Sequence, residues 1–185
     1  MVVSRIFRLS NSVTVSIELS DLQKFGHQID VGLNGDAGNP VGKAVKQWAF
    51  RYRAWAQERF DEQSQGGGEW PDLKDSTKEQ RRNKDKESIS ILRDTGILYA
   101  VLTPAFLGLP GQLEENIAYG VRIGFGGPSK HGDDGTVTVA DIASFHHNGE
   151  GVLPVRSLIV EPPGSIINDM AGDMERAIDK LSNGN

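Results

Sequence analysis

The sequence predicts an α+β domain: a small antiparallel or mixed sheet packed against one long helix and a C-terminal helix, with long loops between them. Three observations lead there. Val13, Val15, Ile17 and Leu19 alternate with Thr14, Ser16 and Glu18, the period of a half-buried strand. Val41, Val45, Trp48, Tyr52, Trp55 and Phe60 recur at helical steps, with Lys43, Lys46, Arg51, Arg53, Glu58 and Asp61 largely between them. Ile166 or Ile167, Met170, Met174, Ala177 or Ile178, and Leu181 repeat that spacing near the end of the chain.

With 185 residues the chain fits one domain, residues 1–185, large enough to bury a core without disulfides or metals. A formal charge of −5 argues against a protein that coats nucleic acid, since that affinity comes from Lys and Arg on phosphates. An aromatic content of 7% offers no stacking platform for bases, so no sequence-specific nucleic-acid partner is expected. The absence of cysteine excludes disulfides, thiolate metal sites and cysteine nucleophiles together. The N-terminal residues hold no sustained apolar run, and no stretch reaches the roughly 18 apolar residues of a membrane span. The expectation is a soluble, non-secreted protein with no membrane partner.

The strand at 13–19 is followed by Asn34-Gly-Asp-Ala-Gly-Asn-Pro40, a concentration of turn formers ending on a residue suited to open a helix. The long helix then runs for about six turns until Gly66, Gly67 and Gly68 stop it. Trp48, Tyr52 and Trp55 on one face of it are expected in the core. Trp70-Pro-Asp-Leu73 suggests a tucked turn. Residues 72–87 mix Lys74, Lys78, Arg81, Arg82, Lys84 and Lys86 with Asp72, Asp75, Glu79, Asp85 and Glu87, which reads as a solvated loop or short helix. The apolar residues around Asp94-Thr-Gly96 predict a short buried helix starting near Asp94 and ending before Pro104. Ile117, Tyr119, Val121 and Ile123 alternate as a strand leading into a Gly-rich loop over 124–135, expected to be mobile or ordered only by a partner. Residues 136–139 read as a strand edge, 142–145 as its continuation or a short helix, and 158–160 as a last strand. Pro162-Pro-Gly164 then breaks the chain before the final helix, whose tail from Ser182 should fray.

No constellation demands an enzyme. His146 and His147 are adjacent and, on a strand, would point to opposite faces, a poor grip on one metal. A metal-dependent nuclease or hydrolase using His146 and His147, completed by Asp133, Asp134 or Asp141, is the alternative reading; otherwise one histidine packs and the other faces solvent or a neighbouring subunit. Gly124-Phe-Gly-Gly-Pro128 lacks the following amphipathic helix of a phosphate-binding loop, and Gly42-Lys43 lacks the flanking residues of one. No serine sits in a nucleophile elbow, and Glu114-Glu115 and Asp133-Asp134 are adjacent pairs suited to solvation. No catalytic residue, cofactor or metal is expected.

The order of these pieces carries more than any one of them. A long helix ends in a Gly-rich turn, then come Trp70-x-x-Leu73 with Thr77, a basic stretch, Ile91-Leu-x-Asp-Thr-Gly96-x-Leu98, Phe145-His146-x-x-Gly149 and Pro154-x-Arg156. This succession resembles the phage virion morphogenesis (tail completion) family and the related head-tail joining proteins, over about residues 44–181. The first forty residues fall outside it, residues 130–141 look like an insertion, and the family's aromatic-Ala entry is here Ile142-Ala143-Ser144.

The resemblance implies a non-enzymatic virion protein of a tailed phage, acting in tail completion or head-to-tail joining at the neck. It would form a homo-oligomeric ring, sixfold, that meets tail tube, tail terminator or neck and connector proteins. It would reside in the virion tail or neck, and in host cytoplasm during assembly. Carried onto this chain, the residues are Asp94, Thr95, Gly96, His146, Gly149, Pro154 and Arg156, with structural or interface roles. Asp94 or Thr95 would cap a helix, Gly149 would permit a positive φ, and Arg156 would form an ion pair inside the fold or across the ring. A stand-alone binding module is a third possibility.

Overall fold

The structure is a computed structural model, and it describes residues 5–9, 12–16, 19–34, 36, 38–83, 90–104, 108–117, 120–126, 130–131 and 136–183. Among them lie six helices and three two-stranded sheets, an α+β architecture. In chain order these are β1 (Arg5–Leu9), β2 (Ser12–Ser16), α1 (Leu19–Leu33), α2 (Pro40–Ser64), α3 (Asp75–Arg82), α4 (Ile97–Leu102), β3 (Gln112–Ile117), β4 (Gly120–Phe125), β5 (Lys130–His131), β6 (Val137–Thr138), α5 (Val139–Asn148) and α6 (Gly164–Asn183). β1 pairs antiparallel with β2, Phe7 opposite Thr14; β5 likewise pairs with β6, and β3 is hydrogen-bonded to β4. No helix among the described residues is long and apolar enough to cross a membrane.

The chain forms two compact units interleaved along the sequence: Met1–Ala49 with Glu115–Arg122 and Gly164–Asn185, and Phe50–Glu114 with Ile123–Pro163. In the first unit Val41 and Ala44 at the start of α2 are buried with Ala177 of α6, and Leu33, Met174 and Leu181 pack around them. Asn39 sets the entry to α2. Its side-chain oxygen accepts from the Val41 amide at 2.8 Å while its Nδ2 donates to the Gln28 carbonyl of α1 at 2.7 Å. Pro40 fills the first helical position, where a missing N–H costs nothing. Gly42 allows the close approach that follows, because a Cβ there would lie 1.9 Å from the Asp36 carbonyl oxygen. The Trp48 indole donates to the Met170 carbonyl at 2.8 Å.

The second unit holds the larger core: Phe60, Trp70, Ile91, Leu92, Leu98, Val101, Leu102, Val139, Ala143 and Leu158. Phe60 is its centre, edge-on to Trp70 at 4.9 Å between ring centroids and to Tyr99 at 5.4 Å. The buried positions of α2 here are Arg53, Ala56, Phe60 and Ser64, a stripe at steps of three and four residues that includes a charge. Arg53 is 1% exposed. Its guanidinium donates to the Val101 carbonyl at 2.8 Å, to the Leu113 carbonyl at 3.3 Å and to the Glu114 carboxylate at 3.0 Å. The Val101 carbonyl lies in the last turn of α4, where no intrahelical donor reaches it, and Gln112 Nε2 supplies a second bond at 2.9 Å. Arg93 pairs with Asp61 and lies over the Tyr99 ring at 4.1 Å.

Several elements differ from the sequence expectation. Leu19 opens α1 instead of ending a strand, and β2 stops at Ser16. Ile117 and Val121 lie on opposite arms of the β3–β4 pair, so the single strand expected over 117–123 is two. Lys130 and His131, expected in a loop, form β5. The helix expected near Asp94 starts at Ile97, and residues 142–145 lie within α5. No strand forms at 158–160, because the Leu158 amide donates to the His147 ring instead of a neighbouring strand. Trp48, Tyr52 and Trp55 are half-buried flanks, the fully buried line being one residue further round the helix. Ser182 and Asn183 continue α6. Much of the Gly-rich segment, including residues 127–129 and 132–135, lies outside the described residues.

Candidate functional site

The resembling motifs meet in the second unit, around a cleft lined by Leu73, Arg81, Asp94, Thr95, His146 and Arg156. An adjoining hollow shares Leu73, Arg81, His146 and Arg156 and continues along Gly151, Val152, Leu153 and Pro154. Helix α5 is what places His146. Its start is a reciprocal cap: the Asp141 amide donates to the Thr138 hydroxyl at 3.1 Å, and the Thr138 amide donates to the Asp141 carboxylate at 2.8 Å. The Thr138 amide and then the Thr138 hydroxyl, both donating to that carboxylate, favour its ionised form and hold Asp141 below the ordinary carboxylate range. The far end is closed by Gly149 in the left-handed conformation, φ 70 and ψ 45. The chain then turns back along α5. The Arg156 amide donates to the His146 carbonyl at 2.7 Å, and the Leu158 amide donates to His147 Nδ1 at 3.1 Å, which leaves the His147 proton on Nε2.

Arg156 locks this return to another segment. It is 4% exposed, and its Nε and Nη2 donate to the Pro71 carbonyl at 3.1 and 2.8 Å, with Asp72's carbonyl at 3.4 Å from Nη2. The expected ion pair is therefore replaced by bonds to backbone carbonyls, which suit a planar fork of donors. Burial, then the nearby Arg81, lowers the affinity of Arg156 for its proton. His146 lies half-buried beside it with Nδ1 enclosed and without a hydrogen-bond partner. Desolvation, followed by the charges of Arg156 and Arg81, holds the His146 imidazole below its ordinary 6.5.

The other motif residues sit at the rim. Gly96 is the N-cap of α4, left-handed at φ 74, and it makes no side-chain capping bond. Neither Asp94 nor Thr95 is the cap: Asp94 faces Arg81 at 3.7 Å, and the Thr95 hydroxyl is 3.5 Å from the Ile97 amide, the limit of a hydrogen bond. Pro154 is half-buried on the returning segment and lines the adjoining hollow. The sequence reading missed Arg81, which lies in a charge run but has a side chain only 12% exposed and donates to the Ser90 carbonyl at 2.6 Å.

Among the described residues no group of three or more His, Cys, Asp or Glu side chains is placed to hold a metal ion; Asp133 and Asp134 lie outside them. The cleft is thus a cationic hollow built by backbone bonding. Comparison with family models, curated proteins and solved structures gives no match.

Two outcomes test this geometry. A Cβ on Gly149 would lie 2.7 Å from Val155 Cγ2 and 3.0 Å from the Val155 amide, whereas one on Gly151, also left-handed at φ 65, would meet nothing within 4 Å. Gly151→Ala should cost about 1–2 kcal/mol for the backbone alone. Gly149→Ala should cost a further ~1–3 kcal/mol for the crowding. Urea unfolding of the two variants checks the order, and equal losses would contradict the tight return. The second outcome concerns pH. Because folding depresses the His146 pKa, its contribution is full above about 6.5, the unfolded value, and is lost as pH falls through the window below it. The unfolding midpoint of the native protein should drop as pH falls through that window, and His146→Gln should flatten the drop; parallel curves would contradict it.

Proposed function

We propose that this protein is a non-enzymatic virion component of a tailed phage that acts in tail completion or head-to-tail joining at the neck, working as a homo-oligomeric ring. One observation carries the reading. The Asp94-Thr-Gly96 and His146-x-x-Gly149…Pro154-x-Arg156 pieces, distant in sequence, line or support one cleft together with the Trp70-Pro-Asp-Leu73 turn. Three of them have roles in holding the chain: Gly149 ends α5, Arg156 ties the returning segment to Pro71, and Gly96 opens α4. That is the distribution of roles expected of a scaffold that presents a surface. On this reading the ring meets tail tube, terminator or connector proteins, in the host cytoplasm during assembly and then in the virion.

Light scattering on the purified protein at several concentrations, alone and with tail tube protein, tests it. A closed multimer, alone or induced by the tube protein, is expected. A monomer at every concentration that ignores tube protein would overturn the proposal.

A further inference from the structure

We propose that the second unit carries two complementary faces and docks head to tail onto a second copy of this chain, the cleft of one protomer taking an acidic groove of the next. This deepens the ring reading by naming its contact. The first face is the cleft and its apolar lip. Lys74, Arg81 and Arg156 there outnumber Asp72 and Asp94, and Asp72 is already paired with Lys78 at 2.7 Å. Arg156 spends its Nε and Nη2 donors on carbonyls, and Lys74 has no ion-pair partner among the described residues. Beside this surplus of positive charge stand Val152, 86% exposed, and Val155, 56% exposed, with Leu153 between them. An apolar lip next to an unpaired lysine and a lining of net positive charge is a surface that gains from being covered.

The second face lies in the same unit and has the opposite character. Glu58, Glu62, Glu69 and Glu161 line a groove with a single guanidinium, Arg59, which is committed to the Ser157 carbonyl at 2.8 Å and to Glu69 at 3.3 Å. Among the described residues Glu58, Glu62 and Glu161 have no ion-pair partner. Trp55, Val160 and Pro163 supply apolar wall between those carboxylates. A basic cleft with an aliphatic lip and an acidic groove with an apolar wall match in both charge and hydrophobicity, in a chain whose net charge of −5 would otherwise keep copies apart. Because the two faces differ, the contact is heterologous, the kind that propagates until a rotation closes it into a ring.

Paired charge reversals test this, with mass read by light scattering at low and high salt. The cleft variant carries Lys74→Glu with Val152→Glu, and the groove variant carries Glu62→Lys with Glu161→Lys, all four at exposed positions so that circular dichroism should match the native protein. Native protein is expected to self-associate, more weakly as salt rises. Each variant alone should associate at least tenfold more weakly, and an equimolar mixture should regain assembly, since each then meets an oppositely charged face. Native protein that stays monomeric alone, or assembles only with tube protein, would overturn the inference while leaving the ring reading standing. So would variants that assemble as well as native protein, or a mixture that stays apart.

Discussion

The second unit depends on one buried cation. Arg53 sits in the apolar stripe of α2, almost fully removed from water, and taking a guanidinium out of water is expensive unless its donors are satisfied. Here they reach the carbonyls of Val101 and Leu113 and the carboxylate of Glu114. Both ends of the segment between α4 and β3 are thereby fixed to α2, and an orphan carbonyl at the end of α4 is filled. Glu114 is the lesser partner, because its side chain is 40% exposed and water screens the pair.

Arginine does the same work elsewhere in this unit, again on backbone carbonyls. Arg59 donates to Ser157 and lies over Trp70, whose indole also donates to the Ser157 carbonyl at 3.3 Å. Arg156 donates to Pro71 and Asp72. Irregular segments 70–73 and 153–158 make no strand pairs among the described residues, and these arginines supply donors to their carbonyls. These bonds let a loop-rich unit hold a fixed cleft. Burial first, and then the nearby charges of Arg156 and Arg81, disfavour the charged form of His146.

The long helices and their stops were legible because their signals are local: the period of α2 from Val41, the glycines at 66–68, and Pro162-Pro-Gly164 before α6. Helix α1 had a usable signal in Leu22, Phe25, Ile29 and Leu33, masked where the alternating run before it overlaps Leu19. Helix α5 had one in Thr138-x-x-Asp141 ahead of an apolar run, outweighed in the sequence reading by the β-branched stretch at 136–139. At the site, Gly149 was readable because a glycine after a helix end implies a left-handed turn. The partners of Arg156 and the burial of Arg53 and Arg81 were not. A long charged side chain carries no local mark of whether its head meets water or a carbonyl from a residue far along the chain, and Arg53 is bonded across 48 residues to Val101.

Buried arginine-to-carbonyl bonding, more than ion pairing, holds the second unit together. Chemical unfolding of Arg53→Ala beside Glu114→Gln tests it most directly. Arg53→Ala, which strands the carbonyls and opens the core, should lose about 3–5 kcal/mol. Glu114→Gln should lose less than about 1 kcal/mol. Equal losses in the two variants, or an Arg53→Ala protein nearly as stable as the native one, would contradict it.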